Sequence, residues 1–422
     1  VTSIEPSALE PRALSRASAW ALALVATFTM AVSYIDRQTL AVLSPDVCSA
    51  LGIDETRYGW LLSAFSIAYL VGAPLAGRLL DRVGARRGLL GAVAVWSLIA
   101  ALHALAPSFA ALFALRVALG LAESPSFPGA AQTIHRALPP SDQPRAFGVL
   151  FTGSSFGAML APPLATGLAA AFGFRAAFVG TALVGLCWIP VWLAVAYRRD
   201  ARAALDRAPR LAGGARAAST PWLTLVTHPA VVRALLVTMA SAPALGYYLN
   251  WGSKLLVRHH GLTTTQTGAY MWLPPVLFDL GSIAFGSLAS AHARRTKLAP
   301  ARLVLFVAML LGTAGAALPL AATAGGPWLT MLVAGVAMAG GGGLYAIATS
   351  DMLCRVPAEA VSSASGLTAA MQSAMLIVTS PLVGRSIDLT KSHFPAIVAL
   401  SLWVVPGCLA WLRWRPPPAT AE

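Results

Sequence analysis

Apolar runs of bilayer length recur along the whole chain and constrain its fold more than any other feature. They fall at about 18–43, 57–77, 88–106, 109–134, 146–170, 174–197, 230–258, 266–290, 302–322, 327–350, 361–388 and 394–412. A membrane-spanning helix needs about 20 such residues, and in lipid the backbone must satisfy its own hydrogen bonds. Composition agrees. Only 11% of residues are charged, against about 25% in soluble domains, and the mean hydropathy is +0.70. The expectation is an all-α membrane protein with twelve transmembrane helices and both termini on one side.

A formal charge of +14 would suit nucleic acid if it were clustered, but it follows the spans instead. Of thirty Lys and Arg, twenty-two fall in the N-terminal tail and alternate loops. Six lie on the opposite side (Arg57, Arg175, Lys254, Arg258, Arg385, Lys391), and Arg37 and Arg116 lie within spans. Basic residues favour the cytoplasmic side, so both termini are expected there, in a multi-pass protein of the cell's inner (plasma) membrane. The charge is topology, not a nucleic-acid site. Cys48, Cys187, Cys354 and Cys408 stand singly, without metal-ligand spacing, and His103 and His135 are isolated. No metal or cofactor is expected. The tail, 1–17, shows no signal-peptide cleavage site.

Residues 198–229 form the longest polar interior stretch, "YRRDARAALDRAPRLAGGARAASTPW" within it, with six spans before and six after. This is the layout of carriers built from two six-helix bundles with a site between them. The expected parts are the tail, a bundle over 18–197, a cytoplasmic linker over 198–229, a second bundle over 230–412 and a C-terminal tail, 413–422. After the second span, "GRLLDRVGARR" places Gly77, Asp81, Arg82, Gly84, Arg86 and Arg87 in the pattern G-x3-D-R-x-G-x-R-R. Gly84 would permit a tight turn. This loop resembles the cytoplasmic signature of the major facilitator superfamily. The resemblance implies a conformational latch in which Asp81 pairs with bases and a helix end across the halves. The matching loop in the second half, "GSLASAHARR", keeps the glycine and the arginine pair but lacks the acid.

Charges inside the spans carry the functional argument, because each costs at least about 2.5–3.5 kcal/mol to insert. Arg37 and Arg116 each lie about nine residues from an outer span end, roughly 13 Å deep at about 1.5 Å per residue. Tyr69 lies at a similar level, and Tyr34 shares a helix face with Arg37 three residues on. Two guanidiniums and two phenols at one depth would make an anion cradle, since arginine grips carboxylates through a two-pronged fork. Glu123 follows Arg116 by seven residues in "RVALGLAE", on the same face and one layer nearer the cytoplasm. A carboxyl out of water favours its neutral form and a nearby guanidinium its charged form. Glu123, and likewise Asp36, could therefore take up and release a proton. Buried ion pairs that only fix helix packing are the plainer reading. Asp279 could serve the second half by hydrogen bonding or by touching substrate, and Lys254 could be a vestibule charge or a snorkelling lysine.

"YIDRQTL" (34–40), "RVALGLAESPSFPGA" (116–130) and "GSSFGAMLAPPL" (153–164) resemble the anion:cation symporter family, as do "YYLNWGSKLLVRHHG", "WLPPVLFDLGS" and "SGLTAA" in the second half. The second-half motifs look most like the hexuronate branch, beside D-galactonate transporters. The resemblance implies proton-driven symport of sugar acids, with no cofactor beyond the proton gradient. It makes Asp36 and Glu123 the proton-coupling carboxylates, Arg37 and Arg116 the substrate-carboxylate ligands, and Tyr34 and Tyr69 cavity tyrosines. Ser154 falls where some members have Gln. The asparagine often found on span eleven is absent, leaving Gln372 and Ser373 nearby and Asn250 on span seven as polar candidates. The expected partners are a small organic anion, H+ and the bilayer, in a monomer that is not an enzyme. A drug–proton antiporter fits less well, because its G-x-x-x-G-P-x-x-G-G pattern is missing. An organic-anion or organophosphate exchanger and a non-transporting sensor with a carrier fold stay open. A lipid-linked glycosyltransferase would need acidic or metal-binding loops, and the loops here are short and basic.

Overall fold

The computed structural model describes residues 14–138, 142–206, 222–296, 301–356 and 361–414. Parts of both expected tails and of the linker (1–13, 207–221 and 415–422) lie outside the described residues. Every described element is helical. The first set comprises α1 (Arg16–Val42), α2 (Ser44–Leu51), α3 (Glu55–Val83), α4 (Ala85–Leu102), α5 (Phe109–Glu123), α6 (Ser126–Ala137), α7 (Gln143–Phe172), α8 (Phe174–Ala196) and α9 (Arg199–Leu205). The second comprises α10 (Trp222–Val226), α11 (Pro229–His260), α12 (Thr264–Met271), α13 (Leu273–Arg295), α14 (Arg302–Gly312), α15 (Leu318–Leu353), α16 (Val361–Thr390) and α17 (Phe394–Arg413).

Among the described residues, 10 helical stretches are long and apolar enough to cross a membrane. One of them, Arg302–Leu353, is 52 residues long, about 78 Å at helical rise and far more than one crossing. It is broken at Gly326, where φ is 70° and ψ −170°. The 29-residue α3 adds to that set in length. Large apolar side chains face outward, with Leu98 61% and Leu303 75% exposed. Asp36, Arg116 and Glu123, by contrast, are 4%, 3% and 0% exposed. That inversion suits a hydrocarbon surround, where charge must turn inward.

Local chemistry sets the breaks. Gly84 has φ 79°, the left-handed turn expected of it, and joins α3 to α4. Near the middle of the bundle α5 stops at Glu123, the Ser124 hydroxyl donates to the Leu121 carbonyl at 2.7 Å, and the chain restarts as α6 after Pro125. Pro162 and Pro163, by contrast, are carried inside a continuous α7. The glycine run in "AGGGGLY" is a packing surface: a Cβ on Gly340 would lie 2.2 Å from the Gly312 nitrogen.

Two groups of helices pack chiefly among themselves. In the first, α1 lies against α6, α7 and α8, and α3 against α5; in the second, α15 lies against α11, α13 and α14, and α11 against α17. Between them α3 meets α16, α1 meets α11, and α7 meets α12. Asp279 and Ser155 meet part-way along α13 and α7. The Ser63 hydroxyl donates to the Ile377 carbonyl at 2.9 Å, and the other described hydrogen bonds between groups fall at the end where α1 stops and α3 starts.

Candidate functional site

The site grows from one face of α1. Ser33 and Arg37 are four residues apart, and Tyr34 and Arg37 three, so all three project toward the same neighbours. The Arg37 Nε–H donates to Glu123 Oε2 at 2.6 Å, and the Ser33 hydroxyl donates to the same oxygen at 2.7 Å. The Arg37 guanidinium carbon also lies 4.9 Å from the Tyr34 ring centre, 4.8 Å from Phe65 and 4.6 Å from Tyr69. Three aromatic rings and one carboxylate therefore hold a single cation, each ring face adding attraction for it. Arg37 Nη2 and Glu123 Oε1 have no hydrogen-bond partner among the described residues, leaving a donor and an acceptor at the site.

Close helix contacts make this alignment possible. A Cβ on Gly157 of α7 would stand 2.3 Å from the Ala31 carbonyl oxygen and 2.9 Å from the Tyr34 Cβ. A Cβ on Gly120 of α5 would stand 2.5 Å from the Phe65 carbonyl oxygen. Neither position has room for alanine, so the two glycines let α7 press on α1 and α5 on α3 at the level of the rings.

Arg116 approaches the same ring, its guanidinium carbon 4.8 Å from the Phe65 centre. The two arginine charges thus lie within about 10 Å of each other, both against Phe65. Arg37 also stacks on Tyr69, whereas Arg116 has Tyr58 and His103 as electrostatic neighbours. Arg116 Nε and Nη1 are also unpartnered among the described residues. Glu123 therefore pairs with the arginine of the neighbouring helix rather than with its own-helix arginine seven residues back.

Asp36 is buried beside this group, and neither of its carboxylate oxygens accepts a hydrogen bond among the described residues. Its nearest charges are Glu123 and Arg37. Ser154 is half-buried on α7 beside Gly153. The expected residues of the second group are not drawn to Arg37 by any described contact. The Asn250 amide donates to the Gly246 carbonyl at 2.8 Å, along its own helix, and Gln372 and Ser373 are half-buried on α16. Tyr345 on α15 of the second group is an electrostatic neighbour of Tyr34, and its hydroxyl lacks a partner among the described residues. Sequence reasoning missed Ser33, Phe65 and Tyr345. The i, i+4 spacing of Ser33 to Arg37 and of Phe65 to Tyr69 would have found the first two.

Of the loop signature, Arg86 is the residue whose partners are described, and it pairs within the first group. The Arg86 side chain is 2% exposed and donates through Nε and Nη2 to Asp206, at 3.0 and 2.5 Å. It also stacks on Tyr197, while Trp192 donates to its carbonyl. Arg136 donates to the Leu205 carbonyl. These contacts tie α9, the start of the linker, to α4 and α6. The Arg86 hydrogen bonds hold the Asp206 carboxyl below its ordinary range. Arg82 and Arg87 are exposed, and Gly77 and Asp81 lie outside the residues whose side chains are described.

The Major Facilitator Superfamily model matches residues 26–380. The chain is 25% identical over 397 residues to a hexuronate transporter of Bacillus subtilis (strain 168), covering 92% of each. It is 26% identical to a D-galactonate transporter of Escherichia coli O6:H1 over 65% of this chain and 68% of that one. Among solved structures, a bacterial homologue of the human lysosomal transporter Spinster, in an inward-facing and unoccupied conformation, superposes with a TM-score of 0.78. It shares 17% identity, over 96% of this chain and 100% of that one. A nucleoside transporter superposes with a TM-score of 0.72 at 13% identity, over 93% and 99%. With the family model matched over most of its length and the fold shared with solved transporters, the chain belongs to the Major Facilitator Superfamily.

Proposed function

We propose that this transporter carries a small organic anion, a hexuronate or related sugar acid, together with H+ into the cytoplasm. Twelve spans in two six-helix halves, 18–197 and 230–412, would rock about a central site, with the linker and both termini in the cytoplasm and the inner (plasma) membrane as the setting. The break at Gly326 inside a 52-residue stretch and the 29-residue α3 support that count. The names of the relatives support the substrate class.

The observation that carries the reading is the Arg37–Glu123 pair, 2.6 Å long and walled by three aromatic rings. With the pair made, the Arg37 charge and its Nε–H are engaged by Glu123. A proton on Glu123 removes its charge and frees Arg37 to grip a substrate carboxylate in its place, by the two-pronged geometry that suits such groups. Proton and anion then enter together because each removes the obstacle to the other. Arg116, unpartnered at Nε and Nη1, supplies the second cation, and Asp36 is a second proton carrier. Tyr34 and Tyr69 shape the wall, and Ser154, Asn250 and Gln372 offer hydrogen bonds to hydroxyls. The test is uptake of a sugar-acid panel into proteoliposomes with and without an inward pH gradient. Exchange indifferent to that gradient would overturn the proton coupling.

A further inference from the structure

At the end where α3 begins, the two groups are joined by charge as well as by packing. Lys254 of α11 donates through Nζ to Glu55 Oε2 at 2.6 Å. Asp388 of α16 accepts the Glu55 amide at 3.1 Å, the Thr56 amide at 2.8 Å and the Thr56 hydroxyl at 2.5 Å. The first turn of α3 therefore has a cap from its own chain neighbour Asp54, which accepts the Arg57 amide at 2.7 Å, and a second cap from the opposite group. A helix needs only local residues to satisfy its first amides, so a cap supplied across an interface does something more.

The backbones also meet here. A Cβ on Gly384 of α16 would stand 2.1 Å from the Glu55 carbonyl oxygen, and one on Gly59 of α3 would stand 2.4 Å from the Ser380 carbonyl oxygen. Beneath the ion pair lies Tyr58, with Lys254 Nζ 4.7 Å from its ring centre and its hydroxyl donating to the Asn250 carbonyl at 2.7 Å. Tyr58 is also an electrostatic neighbour of Arg116, which links the junction to the site.

We propose that Lys254, Glu55 and Asp388 form a clasp that holds this end of the transporter shut, and that it is undone whenever the site opens there. The inference rests on the alternating-access reading above. Both partners of the ion pair are largely sheltered, with side chains 6% and 19% exposed. Breaking one partner of such a pair strands the other charge, which makes the clasp a two-state element rather than a gradual one. A cavity of about 480 Å³ beside it is lined by Cys48, Asp54, Glu55, Lys254 and Arg258. Cys48 is 6% exposed, and burial pushes its thiol up to about 11. It reacts slowly while the end is shut and serves as a native reporter of opening; because Lys254 acts on the same thiol against that rise, each variant's rate is compared per thiolate, from its labelling measured across pH.

The experiment measures maleimide labelling of Cys48 in the full chain in nanodiscs, with exposed Cys187 and Cys354 replaced by Ser and fully buried Cys408 kept as the internal control. Lys254→Ala and Asp388→Ala are expected to speed Cys48 labelling about tenfold or more, with Cys408 unchanged, because each shifts the closed–open balance. The double variant Glu55→Lys with Lys254→Glu is expected to return the rate toward that of the parent. Gly384→Ala, which leaves every charge in place, is expected to speed labelling by wedging α3 from α16. Rates within about twofold of the parent would overturn the clasp. So would a charge swap as fast as Lys254→Ala, or Cys408 labelling that rises in step with Cys48. No substrate or gradient is involved, so a failure of sugar-acid transport and a failure of the clasp would be seen separately.

Discussion

Replacing Glu123 by Gln removes one charge from the Arg37–Glu123 pair while keeping its shape. Glu123 is 0% exposed, and its Oε2 receives both the Arg37 bond at 2.6 Å and the Ser33 bond at 2.7 Å. Breaking a buried pair by removing one partner costs about 3–5 kcal/mol. Glutamine retains an acceptor oxygen, so the lower end applies, and the variant without ligand should melt earlier. Binding should move the other way. In the parent an anion must take Arg37 from Glu123, against an attraction of about 4 kcal/mol for unit charges about 4 Å apart at an effective dielectric of about 20. Removing that competition raises carboxylate affinity by up to about three orders of magnitude. It also flattens the part of the pH dependence that Glu123 carries. Calorimetric titration of the purified variant with sugar acids between pH 6 and 8, beside the parent, reads both effects. Counterflow exchange should persist while gradient-driven accumulation is lost. Weaker binding with an unchanged pH slope, or normal accumulation, would refute the shared-arginine reasoning.

Arg116→Ala should abolish sugar-acid binding by calorimetry, because it removes a buried cation that shares Phe65 with Arg37; retained affinity would move the anion site elsewhere. Gly157→Ala should lower the melting temperature through overpacking of about 1–3 kcal/mol, since its Cβ meets the Ala31 carbonyl oxygen at 2.3 Å. Asp206→Asn should loosen α9 from Arg86, seen as faster amide exchange over 199–205. The carboxyl is held below its ordinary range, so the parent's protection should persist at neutral pH and disappear only as acid protonates Asp206. Burial pushes His393 down to about 3, while the unfolded imidazole titrates near its ordinary value of about 6.5. The unfolded chain then binds the extra proton between those values, so stability falls as pH drops through that window; His393→Gln should remove this component from a melting-temperature profile.

The apolar helices and part of the cluster on α1 were legible because each depends on local periodicity. Runs of apolar residues mark the helices, and a three-residue spacing puts Tyr34 on Arg37's face, where Ser33, four residues before Arg37, went unread. The pairing of Glu123 was not legible in this way. Its seven-residue distance from Arg116 suggested an own-helix partner, but α5 ends at Glu123, and the carboxylate takes Arg37 from α1 at 2.6 Å. Partner choice between helices depends on rotation and stagger, which a single chain's spacing does not encode. For the same reason the partner of Arg86, Asp206, was not legible in a stretch that read only as polar linker. Lys254 looked like a vestibule or snorkelling charge until Glu55, 199 residues away, closed on it.

Whether the buried arginine–carboxylate site couples anion to proton is tested most directly by uptake of radiolabelled hexuronate into proteoliposomes containing the purified chain. The account predicts that hexuronate accumulates above its external concentration only under an inward proton gradient and that an ionophore collapsing the gradient releases it. Uptake that merely equilibrates, whatever the gradient, would contradict it.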